Sequence, residues 1–202
     1  MSSYDSLFYE MQLKFEAIKD LSKFLEDKFN EHGKDWADEI DFNNIDFRKL
    51  AGQACNEAKT RKWYIPLTCN YLVLLIYSVL EDTLNRLCKE VESELGLNTT
   101  LFDFPGKGIE RATKYLSKAA GLSDIRNNKL WQKIEEWATV RNIIAHTNGR
   151  INKPKDRDKI PNTININEIS GEIMLDFSDV NDFYTISRMY LEYVFQQSFS
   201  CP

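Results

Sequence analysis

The stretch Leu67–Leu80 reads LTCNYLVLLIYSVL and would be apolar on every side of a helix. It follows Pro66, a residue that suits the first turn of a helix, and its periodic continuation reaches Gly96, a common helix terminator. The run is interrupted by Asn70 and is too short to cross about 30 Å of hydrocarbon. We therefore predict a central buried helix from Pro66 to just before Gly96, in a soluble, cytoplasmic protein with no membrane partner.

Helical periodicity also marks the segments on both sides of this central helix. Apolar residues at intervals of three and four predict a long first helix that ends near His32 and Gly33. After the central helix, the same spacing predicts one helix closed by Gly121 and another from about Asn128 to His146. Residues 34–62 are polar and mixed, with short helical possibilities between residues 42 and 58.

The pattern changes to alternation between residues 163 and 177. Apolar residues flank Ser170 and Gly171 at intervals of two, which predicts a small β-hairpin. Ser178 is a favoured capping residue and would begin a last helix over residues 178–199. Short connections between long helices favour neighbours that run antiparallel. The fold class predicted is all-α, an up-down helical bundle of one domain over residues 1–202, with a hairpin before the C-terminal helix.

Cysteine spacing and charge distribution narrow the possible functions. The four cysteines form no C-x-x-C pair, so neither a zinc ribbon nor a disulfide framework is indicated, and we expect them to be reduced and mostly packed. The formal net charge is −5, yet residues 107–159 hold 13 basic and 6 acidic side chains. Such a segment can attract a polyanion because local potential, rather than net charge, governs binding.

The chain lacks the motifs of most familiar enzyme classes. It contains only two histidines and no H-E-x-x-H, G-x-G-x-x-G, Walker or G-x-S-x-G pattern. We therefore expect no cofactor and no metal site. A metal hydrolase that uses His146 with carboxylates stays open as a less favoured interpretation, since the spacing gives it no support.

The helix that ends at His146 places one charged residue in an unusual position. On a helical wheel Arg141 falls inside the apolar stripe, which contains Leu130, Ile134, Trp137 and Ile144. A guanidinium in that position needs an acidic partner, or it must lie at a seam where a ligand enters. Glu81 or Asp82 on the central helix could provide a purely structural ion pair. His146 could equally be a C-terminal cap, because an imidazolium is favoured beside the last carbonyls of a helix.

The pattern Arg141-Asn142-x-x-x-His146 resembles the motif of the HEPN superfamily, an arginine separated by four to six residues from a histidine, often with asparagine after the arginine. The resemblance extends loosely to the segment from Tyr77 to Asn85 and covers about residues 67–150, within a motif-bearing core of about 64–150. HEPN toxins that are silenced by nucleotidyl modification carry a tyrosine two residues after the histidine. Asn148 occupies that position here, so the resemblance does not extend to that mode of control.

The resemblance implies a metal-independent endoribonuclease of bacterial toxin or antiviral-defence type that acts on RNA as a homodimer. Arg141, Asn142 and His146 would then be the catalytic residues, with Glu81 and Asp82 as supporting acids. RNA cleavage without a metal needs a general base, a general acid and positive charge on the phosphorane-like transition state. An antitoxin or regulatory protein would be a further expected partner.

Five cations follow the motif within residues 150–159, and four of them, Arg150, Lys153, Lys155 and Arg157, are predicted to bind the substrate backbone. An ordinary solvated loop is the alternative. A different function also stays open, namely a non-catalytic HEPN-like module that dimerises or binds a nucleotide or partner protein. Ile143, which the wheel places away from the bundle, would be an interface residue in that case.

Overall fold

The computed structural model of the chain describes residues 3–38 and 47–199, and within these ranges the side chains of residues 32–38, 47–50, 123–124 and 199 are not described. The α-helices and strands occupy the following ranges: α1 Ser3–Asp38, α2 Phe47–Lys59, α3 Ile65–Leu95, α4 Gly108–Lys118, α5 Lys129–Thr147, α6 Pro154–Arg157, β1 Asn165–Ile166, β2 Ile173–Met174 and α7 Phe177–Phe199. The fold is all-α with a small hairpin before the last helix, as predicted.

Helix α3 is the centre of the bundle. It packs against α1, α4, α5 and α7, and its residues include Val73, Ile76 and Leu80, which are fully buried. Together with Leu72 and Tyr77, which are also buried, these side chains cover about 140° of the helix circumference, so contact with one neighbouring helix alone would leave apolar surface in water. The prediction of a central helix is confirmed.

The start of α3 differs from the prediction. Pro66 does not begin an isolated helix, because a π-helical turn over Thr60–Tyr64 joins α2 directly to α3. Proline lacks an N–H and its ring clashes with the carbonyl one turn earlier in a regular α-helix. The wider π turn, in which the Ile65 N–H donates to the Thr60 carbonyl, accommodates this residue.

Other predicted boundaries also shift. Helix α1 continues through Gly33 to Asp38, because a single glycine costs only about 1 kcal/mol inside a helix. Helix α4 ends at Lys118 with Ala119 as its cap, and Gly121 follows with a φ of 74°. The predicted helical segment at residues 42–58 is found from Phe47 onward, while residues 42–46 lie outside the described ones.

The hairpin is shorter than predicted but has the expected turn. Strands β1 and β2 pair antiparallel with Ile166 opposite Ile173, and Gly171 adopts a φ of 68° in the turn. The segment that follows α5 joins this hairpin, since the Ile151 N–H donates to the Gly171 carbonyl and the Ile173 N–H donates to the Gly149 carbonyl. The hairpin therefore anchors the basic segment close to the end of α5.

Helix α7 is capped by Asp176, not by Ser178. The Asp176 carboxylate accepts the N–H groups of Ser178 at 2.8 Å and Asp179 at 3.1 Å, and the Asp179 carboxylate accepts the Asp176 N–H. This is a reciprocal arrangement at the helix N-terminus. Ser178 lies within the first turn and donates its hydroxyl to the Asp176 carboxylate.

The cysteines were expected to be mostly buried, and two of the three that the structure describes are. Cys69 and Cys88 are buried, and burial raises the pKa of each thiol to about 12. Cys55 is exposed, and Cys201 lies outside the described residues. Both buried thiols therefore stay protonated near neutral pH and pack as small apolar groups.

One helical stretch of the described chain, Ala51–Leu95, is long and apolar enough by composition to cross a membrane. Its most apolar window has a mean hydropathy of 1.5, and half of that window is buried inside the molecule. The core helix of a bundle has the same properties, so this stretch is only weak grounds for a membrane segment.

Candidate functional site

The C-terminal half of α5 displays the Arg141, Asn142 and His146 side chains at the surface. The helix begins at Asn128, whose side chain accepts the Trp131 N–H at 2.8 Å. It ends at Asn148, which adopts the left-handed conformation with φ 52° and donates its N–H to carbonyls of the last turn. Asn148, rather than His146, is thus the residue that terminates this helix.

Apolar packing on one face fixes the orientation of α5. Trp131 and Trp137 are almost fully buried, and Trp137 stacks on Phe183 of α7 with ring centroids 4.7 Å apart. With this face against the bundle, Asn142 and His146 are exposed on the outside. The core packing therefore determines which polar residues of α5 reach solvent.

Arg141 lies at the seam between α5 and α3 and is held by three neighbours. Its guanidinium lies over the Tyr77 ring at 4.5 Å from the centroid, and its Nη2 atom is 3.7 Å from the Glu81 Oε2 atom. Its Nη1 atom also donates to the Asn142 Oδ1 atom at 3.0 Å. The side chain remains 32% exposed, so one edge of the guanidinium can still meet a ligand.

Of the two acids proposed as partners, Glu81 contacts Arg141 and Asp82 does not. Asp82 instead bonds to Lys14 of α1 at 3.2 Å and lies 3.9 Å from Arg86. The two carboxylates differ because consecutive helical residues point about 100° apart, so only one of them can face α5.

Tyr77 provides an uncharged aromatic surface beneath Arg141. Burial raises the pKa of its hydroxyl to about 12. The positive charge of Arg141 lowers this pKa, and the negative charge of Glu81 raises it. The ring is therefore neutral near pH 7 and attracts the guanidinium through its π face.

His146 is exposed and forms no hydrogen bond or ion pair with any residue that the structure describes. Three surface hollows meet at its side chain, and each is lined by at least one other residue of the motif. An imidazole in this situation can accept or donate a proton to a bound molecule without first breaking an internal contact.

One hollow, called the central cleft, lies between α3, α4 and α5 and has a cavity volume of about 560 Å³. All three predicted catalytic residues line it. The remaining lining residues are Tyr77, Glu81, Lys107, Gly108, Ile109, Glu110, Trp131, Glu135 and Ala138. Its volume is in the range of small-molecule sites.

A second hollow, called the basic hollow, has a volume of about 370 Å³ and lies between α5 and the segment that follows it. The residues lining it are Thr139, Asn142, Ile143, His146, Thr147, Arg150, Asn152, Lys153, Asp156 and Lys159. Arg150 and Lys153 therefore lie near His146. Lys155 and Arg157 belong to α6 and line none of the three hollows, whereas Lys159 contributes a cation that was not among the predicted binding residues.

The third hollow, called the outer hollow, is a shallow region of about 580 Å³ where α3 meets α5 on the surface. Its lining residues are Leu74, Ser78, Glu81, Asp82, Asn85, Arg141, Ala145 and His146. Next to it, the exposed face of α3 presents Leu67, Tyr71 and Leu75, with 38%, 70% and 40% of each residue accessible.

Ile143 does not serve as an exposed interface residue, contrary to the prediction. It is only 7% exposed, and it lines the basic hollow together with Arg150 and Lys153 of the segment that follows α5. The helical wheel could not show this burial, since it depends on contacts made after the helix ends.

Several residues of the central cleft were missed by the sequence reasoning. Lys107 and Gly108 come from the start of α4, and Glu135 lies about three turns before His146 and about two turns before Asn142. Glu135 shares a polar face of α5 with Asn142 and His146, which is a signal that could have included it. Nothing in the sequence places the α4 residues beside this face.

Among the described residues, no group of three or more histidine, cysteine, aspartate or glutamate side chains is placed to hold a metal ion. The side chain of His32 lies outside the described ones. In comparisons with known proteins, no family model, curated protein or solved structure gives a significant match to the chain.

Proposed function

We propose that this chain is a cytoplasmic, metal-independent endoribonuclease of the HEPN type, related in activity to toxins and antiviral-defence effectors. One observation supports the proposal best: the anchored Arg141 guanidinium and the exposed His146 imidazole line the same cleft. His146 has no hydrogen-bond or ion-pair partner among the described residues. A fixed cation beside a free imidazole is what phosphodiester cleavage by an internal nucleophile requires.

The reaction uses the 2′-hydroxyl of RNA as its nucleophile. A base removes the hydroxyl proton, and the 2′-oxygen forms a bond to the adjacent phosphorus. The bond from phosphorus to the 5′-oxygen then breaks, and an acid gives that oxygen a proton. The products are a 2′,3′-cyclic phosphate and a 5′-hydroxyl, so no water, metal or redox partner enters this step.

The three motif residues have separate roles in this mechanism. His146 transfers the proton, because imidazole exchanges protons near neutral pH. Arg141 neutralises the charge that develops on the phosphoryl oxygens, using the guanidinium edge that remains exposed. Asn142 holds Arg141 through the contact at 3.0 Å and presents its amide to the substrate from the same cleft.

A second copy of the chain completes the site. One protomer offers one candidate imidazole, whereas the reaction needs a base and an acid, and a two-fold dimer doubles every residue of the site. The exposed apolar residues of α3, with Tyr71 the most accessible, lie next to the outer hollow that contains Arg141 and His146. Burying that face against its symmetry mate would bring two His146 side chains toward one composite cleft.

The basic hollow supports RNA as the substrate. Arg150, Lys153 and Lys159 surround a concave surface that reaches His146, so a phosphate next to the scissile one would meet positive charge. Arg150 is partly neutralised by Glu172 at 3.2 Å, which leaves the two lysines as the main cations of this surface.

The decisive experiment incubates purified protein with single-stranded RNA in the presence of a chelator and identifies the new ends. We expect 2′,3′-cyclic phosphate ends, with cleavage lost in His146→Ala and Arg141→Ala while circular dichroism and thermal unfolding show folded proteins. Cleavage that survives both substitutions would refute the assignment of these residues.

The dimer has its own test. Tyr71→Glu should convert the protein to a monomer in sedimentation velocity and should abolish cleavage, because the composite cleft would be lost. Tyr9→Glu is the matched control, since Tyr9 is 57% exposed on α1 and lines none of the three hollows. A Tyr71→Glu monomer with full activity would rule out a site shared between two copies.

A non-catalytic interaction module is the second candidate, favoured by the fact that Arg141 already has an acidic neighbour in Glu81. In that case the motif residues would hold α5 against α3, and the protein would dimerise or bind a nucleotide or partner protein through the same surface. Intact RNA after prolonged incubation with dimeric protein would select this candidate.

A further inference from the structure

The central cleft and the basic hollow meet at Asn142 and His146 but have opposite electrostatic character. Three carboxylates and two cations line the central cleft: Glu81, Glu110, Glu135, Lys107 and Arg141. Three cations and one carboxylate line the basic hollow: Arg150, Lys153, Lys159 and Asp156. A nucleotide strand that passes His146 therefore encounters two different chemical environments on its two sides.

Two of the three carboxylates in the central cleft already have a cationic neighbour, whereas Glu135 and Lys107 form no ion pair with any residue in the described part of the chain. Glu110 pairs with Lys114 at 2.5 Å, and Glu81 lies 3.7 Å from Arg141. The unmatched negative charge of Glu135 disfavours a phosphate in this part of the cleft and favours a group that donates hydrogen bonds.

Part of the cleft wall is apolar. Tyr77, Ile109 and Trp131 line it with the small parts of their surfaces that stay accessible, which are 6%, 3% and 3%. Gly108 adopts a φ of 55°, and a Cβ atom there would lie 3.2 Å from the Glu81 carboxylate. Glycine thus lets the backbone of α4 approach the Glu81 carboxylate closely at the edge of the cleft.

A nucleobase combines these properties, and guanine matches the carboxylate best. Its N1–H and N2 amino groups are adjacent donors that can reach both oxygens of one carboxylate. Adenine and cytosine each place a ring acceptor next to their single amino group, and uracil places carbonyls on both sides of its N–H. These acceptor atoms would face the carboxylate oxygens and repel them, so the affinity of the site for these three bases is lower.

We propose that the central cleft binds a guanine base next to the scissile phosphate, with Glu135 accepting its two donors, while the basic hollow holds a neighbouring phosphate. This assignment rests on the proposed ribonuclease function and adds a base preference to it. Single-stranded RNA that exposes guanines would be the preferred substrate, because a base inside a duplex cannot present this edge.

The test measures binding separately from cleavage. Fluorescence anisotropy would follow labelled 2′-O-methyl hexauridylates that carry one guanosine, inosine, adenosine or uridine at the centre, since the methyl group blocks attack by the 2′-oxygen. We expect guanosine to bind about tenfold more tightly than adenosine or uridine, with inosine between them because it lacks the N2 amino group.

Two variants of α5 localise the effect. Glu135→Gln should abolish the preference for guanosine, because an amide carries one acceptor instead of two and brings a donor toward the base. Glu136→Gln is the matched control, since Glu136 is the next residue, is exposed and lines none of the three hollows. Both side chains are exposed, so both variants should fold as the parent protein does.

The outcomes separate this inference from the proposed function. Equal affinity for all four oligonucleotides, or a guanosine preference that persists in Glu135→Gln, would overturn the guanine site. Cleavage of ordinary RNA with no base preference would do the same while leaving the ribonuclease intact. A guanosine preference that depends on Glu135, in a protein that cleaves no RNA, would support the binding site and overturn the proposed catalysis.

Discussion

Replacing Arg141 with lysine keeps a positive charge at the seam between α3 and α5 but removes the planar guanidinium. Arginine can offer two parallel N–H groups to a phosphoryl oxygen pair, and lysine is a point charge. If Arg141 stabilises the transition state, Arg141→Lys should therefore lower the cleavage rate much more than it lowers the stability of the fold.

The contacts of Arg141 set the size of the expected loss of stability. The ion pair with Glu81 spans 3.7 Å between side chains that are each 32% exposed, and such pairs contribute about 0.2–1 kcal/mol. Contact with the Tyr77 ring and the exposed hydrogen bond to Asn142 contribute about 1 kcal/mol each. Because lysine retains part of these contacts, we expect a loss of about 1 kcal/mol in the free energy of unfolding, or about 2–4 °C in Tm.

The effect on catalysis should be larger. Loss of one preorganised donor to a developing oxyanion typically lowers kcat by about 100-fold to 1,000-fold, so we expect at least about 100-fold for Arg141→Lys. A fluorogenic RNA assay at saturating substrate and a thermal unfolding curve would be recorded on the same preparation.

Arg188→Lys is the control for this prediction. Arg188 pairs with Glu192 of α7 at 2.8 Å, lies 43% exposed and lines none of the three hollows. It should lose a similar, small amount of stability with no change in cleavage rate. If Arg141→Lys retains cleavage within about twofold of the parent protein, the role assigned to the guanidinium is wrong.

Three further predictions concern stability. Asp176→Ala should lower the free energy of unfolding by about 1 kcal/mol through loss of the α7 cap, whereas Ser178→Ala should have a smaller effect, and equal losses in urea denaturation would contradict the capping assignment. Gly149→Ala should lower the free energy of unfolding by about 1–2 kcal/mol, because Gly149 has a φ of 87°, which disfavours a residue with a Cβ. A Cβ there would meet no atom closer than 3.6 Å, so the cost comes from the backbone conformation alone, and an unchanged Tm would contradict it. Burial raises the pKa of Asp179 to about 6, although the hydrogen bond from the Asp176 N–H lowers it. The folded state therefore binds this proton more tightly than the unfolded state does, and the resulting stability is fully present below about pH 4 and is lost as the pH rises through 6. Asp179→Asn should thus increase stability at pH 7 by about 1–3 kcal/mol with no gain at pH 4, as measured by urea denaturation at both values, and a gain of equal size at both would contradict the sign.

Local chemistry was enough to predict much of the site. The resemblance to the HEPN motif suggested the arginine, asparagine and histidine of α5 as candidate site residues, and the position of Arg141 within an apolar stripe correctly indicated a seam with an acidic neighbour. Glu81 and Asp82 could not be separated in that way, because the choice depends on the rotation of α3 relative to α5. The sequence also could not show which cations of the basic segment lie near His146. Lys155 and Arg157 belong to α6 and do not line the basic hollow, whereas Lys159 does.

The sequence by itself determined that the chain would form helices around one apolar central helix, because periodicity and residue volume act within each segment. It also determined that a cation and an imidazole would lie within about one and a half turns of each other on α5. Only the tertiary structure decided that α4 contributes Lys107 and Gly108 to the same cleft, that Ile143 is buried and that Glu135 forms no ion pair within the described part of the chain. These properties depend on contacts between residues far apart in the chain, which the packing of whole helices sets and no local pattern encodes.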